Sequence, residues 1–137
     1  MDIKIFSDGG SSGNPGPSAI AFIIFSNSVV LFKHSEKIGV ATNNYAEYLA
    51  LIKSLKKTFS LLKQQMAEKP SKIIVYSDSL LMVNQLNGLY KIKSKQIGPL
   101  VFEIKTLEKE IKIPIYYHYI PREDNSMADS LVRRELY

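Results

Sequence analysis

Four acidic side chains, Asp8, Glu47, Asp78 and Asp129, each stand where a predicted strand ends or a predicted helix begins. Such junctions can converge on one rim of an α/β sheet, and a cluster of hard oxygen donors there suits divalent cations. In a chain with a basic excess, carboxylate-held cations point to metal-assisted chemistry on phosphates. Each acid also has an ordinary structural role open to it. Asp8 before Gly9-Gly10 suits an Asx turn, and Glu47 suits the positive end of a helix. Asp78 suits an N-cap, and Asp129 suits a capping box with Ser126. Repulsion favours the joint reading: converging carboxylates cost about 4 kcal/mol per ionised pair at about 4 Å and an effective dielectric of about 20. Capping gives them no reason to meet; bound cations do. Mg²⁺ prefers carboxylate and water oxygens. Zinc is a poor fit, because cysteine is absent and only His34 and His118 offer nitrogen.

The elements that must position these acids follow from periodicity and punctuation. Ile3 to Phe6 alternates as a strand and is expected to stop at the turn signal Asp8-Gly9-Gly10. The apolar run Ala19 to Phe25 reads as a buried strand, and Ser26-Asn27-Ser28 turns it into Val29 to Phe32. Thr42 is a good N-cap for a long helix that carries Tyr45, Tyr48, Leu49, Ile52, Leu55, Phe59 and Leu62 at helical spacing. Ile73 to Tyr76 is a fourth strand, followed by a helical stretch from Leu80 to about Leu86. Pro99 suits the first turn of another helix. Ile115 to Ile120 is a fifth strand stopped by Pro121, and Asn125 or Ser126 caps a last helix. The order βββαβα(α)βα predicts an α/β fold with a mixed sheet, its helix-separated strands parallel and its helices on both faces.

The 137 residues are expected to form one domain with a substantial core. Hydrophobic residues make up 45% and charged residues 23%, an ordinary globular balance. Eighteen Lys and Arg against 13 Asp and Glu give +5, which favours a polyanionic partner. Without cysteine there is no disulfide, thiolate zinc site or thiol nucleophile. Met1-Asp2-Ile3-Lys4 opens straight into a strand pattern and no apolar run is long enough to span a bilayer. A soluble cytoplasmic protein with no membrane partner is expected.

Taken together, Phe6-Ser7-Asp8-Gly9-Gly10, Gly13-Asn14-Pro15-Gly16-Pro17, Thr42-Asn43-Asn44-Tyr45-Ala46-Glu47, Tyr76-Ser77-Asp78-Ser79 and Asn125-Ser126-Met127-Ala128-Asp129 form a set. In that order and on those elements, the chain resembles the type 1 ribonuclease H family over essentially its whole length. The resemblance implies a five-stranded ribonuclease-H-like sheet, the first three strands antiparallel and the fourth and fifth parallel to the first. It implies a single catalytic domain spanning 1–137, monomeric, needing two Mg²⁺ ions or Mn²⁺ in their place. The expected activity is endonucleolytic cutting of the RNA strand of RNA/DNA hybrids, leaving 5′-phosphate and 3′-hydroxyl ends. Double-stranded RNA is a second candidate partner. Asp8 would bridge both ions, Asp129 would complete the ion on the attacking side, and Glu47 and Asp78 the ion on the leaving side. Glu47 would also accept from a ribose 2′-OH, the group that distinguishes RNA from DNA. The family's groove-contacting amides fall on Asn14, Asn43 and Asn44, and Thr42 at the helix start would hold a DNA-strand phosphate.

Three departures from the family pattern stand out. Tyr119 to Ala128 contains no histidine where many bacterial members carry one; Pro121-Arg122-Glu123-Asp124 occupies that stretch, with Arg122 as a candidate phosphate contact. Leu80 stands where many members have a glutamine that touches the hybrid. The basic, tryptophan-bearing protrusion of some members is missing, leaving Tyr90, Lys91, Lys93 and Lys95 between Gly88 and Pro99. This is a compact form. The rival readings are a binding module of the same fold that does not cut, and another nuclease of the same superfold. Retention of all four acids argues against the first; the Asn14 and Asn43-Asn44 amides argue against the second.

Overall fold

The computed structural model of this protein describes residues 1–64 and 69–137. The elements are β1 (Asp2–Ser11), β2 (Gly16–Ser26), β3 (Val29–Ala41), α1 (Asn43–Gln64), β4 (Lys72–Ser77), α2 (Leu80–Leu86), α3 (Ile97–Ile111), β5 (Ile115–Tyr119), a 3₁₀ turn (Arg122–Asn125) and α4 (Ser126–Leu136). One sheet contains all five strands in the order β3-β2-β1-β4-β5. β1, β2 and β3 are antiparallel neighbours, while β4 runs parallel to β1 and β5 parallel to β4. This is the expected mixed sheet.

Alternation along each strand sorts side chains onto two faces. Ile3, Ile5, Phe22, Ile24, Ile73, Val75 and Tyr117 pack with Tyr48, Leu51 and Leu55 of α1, Met82 of α2 and Ile104 of α3. On the other face Ala19, Ala21 and Ile23 meet Ala128, Leu131 and Val132 of α4. Helices on both sides of β2 explain why Ala19 to Ile24 is buried throughout and reads as one apolar run. No described helix is long and apolar enough to cross a membrane.

Three local expectations need correcting. Asp8-Gly9-Gly10 is not a turn: β1 runs on to Ser11, paired with β2 as far as Ser11 opposite Ser18. Gly9 answers to a close approach, since a Cβ there would lie 2.3 Å from the Ala46 carbonyl carbon. Nor is Asp78 the cap of α2. Ser79 is, its Oγ accepting from Met82 N at 3.2 Å. Thr42 does cap α1, its Oγ1 accepting from Tyr45 N at 3.1 Å. Asn125 precedes α4 but makes no side-chain cap. Its amide is bonded to the sheet instead.

Candidate active site

The parallel pairing of β1 with β4 ends at Ser7 opposite Ser77, so Asp8 and Asp78 are the next residues of two neighbouring strands at one edge. Ser77 also pairs with Tyr119 of β5, which delivers the following segment and Arg122 to that edge. Glu47 arrives from α1, close because Gly9 lets that helix approach, and its Oε1 accepts from Gly9 N at 2.8 Å. One carboxylate oxygen each from Asp8, Glu47 and Asp78 lies within 4.8 Å of the other two. Asp8 and Glu47 are only 6% and 8% exposed. Asp129 is not one of these three mutually close carboxylates. It lines a cleft of about 560 Å³ together with Asp8, Glu47, Ser11, Asn43, Arg122 and Arg133. The Oδ2 of Asp129 lies 3.2 Å from Arg133 Nε.

Burial and mutual repulsion dominate the electrostatics. Burial first, then Asp78 and Asp129, push the Asp8 carboxyl up to about 8. Glu47 is raised well above the ordinary carboxylate range, by burial and then by Asp8 and Asp78. Burial also raises Asp78, with Arg122 pulling the other way from 3.9 Å. The Oδ2 of Asp78 is buried and meets no hydrogen-bond partner at bonding geometry among the described residues. An all-oxygen donor set with such an orphaned atom fits hard divalent cations, Mg²⁺ or Mn²⁺, and the charge they bring would offset the repulsion.

The candidate nucleic-acid contacts gather beside this edge. Asn43 Oδ1 accepts from Ser11 N at 2.9 Å, and Asn14 Oδ1 accepts from Asn43 N at 2.9 Å. Backbone N–H donors thus fix both amides by their oxygens, and each NH₂ group remains a donor. Asn44, next on α1, has a buried Oδ1 without a partner among the described residues. Thr42 Oγ1 accepts from Tyr45 N in the cap, and its O–H hydrogen remains a donor. The Arg122 side chain is 71% exposed over Asp78, and Leu80 is exposed at the start of α2.

Two residues were given no role at the site by sequence reasoning. Asn125 is 1% exposed and its Nδ2 donates to Ser7 O at 2.9 Å, tying the 3₁₀ turn to the residue before Asp8. Its position in a helix-start motif suggested only a cap. Arg133 holds Asp129, and the four-residue spacing on α4 was its available signal.

Known proteins share both the sequence pattern and the fold. Residues 1–137 match the RNase H family. The chain is 35% identical over 133 residues to Bifunctional protein Rv2228c of Mycobacterium tuberculosis, covering 96% of this chain and 34% of that protein. It therefore spans about a third of the length of its mycobacterial relatives. Ribonuclease HI of Halobacterium salinarum is 29% identical over 135 residues, covering 98% and 64%. The structure of LC11-RNase H1 in complex with RNA/DNA hybrid matches with a TM-score of 0.88 at 34% identity, over 96% of this chain and 94% of that one. The N-terminal RNase H domain of Rv2228c matches with a TM-score of 0.86 at 32% identity, over 100% of both chains. By its sequence along the whole chain and by its fold, this protein belongs to the RNase H family, on the type 1 branch.

Proposed function

We propose that the chain is an endoribonuclease that hydrolyses the RNA strand of RNA/DNA hybrids by two-metal-ion catalysis, leaving 5′-phosphate and 3′-hydroxyl ends. The observation that carries this reading is the Asp8–Glu47–Asp78 cluster, with Asp129 in the cleft that Asp8 and Glu47 line, in a chain of this family. Ribonuclease HI relatives and the hybrid bound to LC11-RNase H1 support the reaction class and the substrate. The family depends on divalent metal, and Asp8, Glu47, Asp78 and Asp129 would hold the ions. Bound Mg²⁺ or Mn²⁺ supplies positive charge to the attacking and leaving oxygens of the phosphate. The chain's own residues do the rest. The NH₂ groups of Asn14 and Asn43 donate to acceptors in the groove, Arg122 contacts phosphate, and Glu47 takes the 2′-OH. Asn44 and Thr42 complete the duplex contact. Residues 1–137 act as one catalytic domain, monomeric and in the cytoplasm.

The test is cleavage of labelled RNA/DNA hybrid, double-stranded RNA, single-stranded RNA and DNA duplex with Mg²⁺ or Mn²⁺, beside Asp8→Asn. Metal-dependent cutting of the hybrid's RNA strand is expected, at least about a hundredfold slower in the variant. Cutting of DNA duplex alone moves the chain to another nuclease class. Binding without cutting makes it a recognition module.

A further inference from the structure

Arg133 engages the one acid of the four that stands apart from the close trio. Its Nε lies 3.2 Å from Asp129 Oδ2, one turn earlier on α4. On an open helix face such a pair adds little, and the Arg133 side chain is 65% exposed. Here both residues line the cleft that contains Asp8 and Glu47, so the pair sits where a cation would be bound. A guanidinium keeps its charge at every accessible pH and repels a divalent ion brought to the same carboxylate. A cation that takes Asp129 must displace Arg133 or share the carboxylate with it.

We infer that Arg133 is a positioning residue that competes with the divalent ion for Asp129, keeping the fourth carboxylate an exchangeable ligand beside a more tightly binding trio. The inference rests on the proposed function in one respect, that Asp129 is a ligand. It adds that this ligand's affinity is set by a side chain outside the acid set, one that requires neither substrate nor turnover to act.

Mn²⁺ binding by isothermal calorimetry on the full chain without nucleic acid tests this directly. Arg133→Gln should reach half-saturation at about two- to fivefold lower free Mn²⁺, the range expected for loss of an exposed ion pair. Arg134→Gln removes the same formal charge from the neighbouring exposed position and should leave the isotherm at wild type. In an Asp129→Asn background, Arg133→Gln should change nothing further, because the interaction has already gone. The inference falls if the Arg133→Gln isotherm coincides with wild type, if Arg134→Gln shifts equally, or if the shift survives in Asp129→Asn. A wild-type chain that binds no Mn²⁺ overturns the metal reading itself, an outcome distinct from these.

Discussion

The backbone N–H of Gly9 donates to Oε1 of Glu47 at 2.8 Å, so β1 itself holds in place the α1 carboxylate that stands beside Asp8. The bond exists because the helix backbone comes close enough that a Cβ on Gly9 would lie 2.3 Å from the Ala46 carbonyl carbon and 2.5 Å from Glu47 N. Gly9→Ala is expected to cost about 1–3 kcal/mol by overpacking and to weaken metal binding as α1 moves away. Gly10→Ala meets only Val132 Cγ1, at 3.3 Å, and should cost less. Chemical denaturation and Mn²⁺ titration of both variants check this. Equal stability of the two would contradict it.

The acids make metal-free stability depend on pH. Asp8 is raised from 3.8 to about 8, so from about pH 4 to about pH 8 the folded chain retains a proton that the unfolded chain has lost. Its contribution is therefore complete below the unfolded value and disappears as pH rises through the folded one. The metal-free Tm should fall across that window, and Asp8→Asn should flatten the fall. A Tm that rises with pH there, followed by thermal melting in chelator, would refute the assignment.

Cation binding must expel that proton. The Tm increase produced by Mg²⁺ should grow with pH through the same window, and calorimetry in buffers of different ionisation enthalpy should register proton release. Neutralising one acid should also relieve repulsion: Asp8→Asn is expected to be more stable than wild type at neutral pH without metal, while losing most of the Mg²⁺-induced shift. A metal-free variant less stable than wild type would count against burial and repulsion together as the forces that penalise the Asp8 charge.

Asn125 ties the 3₁₀ turn to Ser7, immediately before Asp8. Asn125→Ala leaves a buried carbonyl unpaired, at about 1–3 kcal/mol, and loosens the edge that carries the acids. Lower Tm together with weaker Mn²⁺ binding is expected. Unchanged Mn²⁺ affinity would restrict Asn125 to stability alone.

Lys91, Lys93 and Lys95 are exposed on the connection between α2 and α3. Changing all three to Ala should reduce the slope of log affinity against log salt by about 0.9 for each phosphate the lysines neutralise in the wild type. Hybrid binding followed by fluorescence anisotropy across a salt series reads this directly. An unchanged slope makes them bystanders.

Much of the fold was legible because its signals are local. The apolar run Ala19 to Phe25, the helical spacing after Thr42 and the strand Ile73 to Tyr76 each report their own burial. Element order then fixes the mixed sheet, since helix-length crossovers make parallel neighbours. The glycine pair after Asp8 misled for a definite reason: the same residue type serves a turn and a close helix contact, and only the position of α1 distinguishes them.

Residue identity alone determined which groups could be ligands, which amides could donate and that no thiol chemistry exists. Only the tertiary structure decided that Asp8, Glu47 and Asp78 share a space of 4.8 Å while Asp129 stands with Arg133. The physical reason is that burial and through-space charge depend on distances between residues as remote in the chain as Asp8 and Asp78. Those distances are set by sheet register and helix approach rather than by neighbours along the sequence.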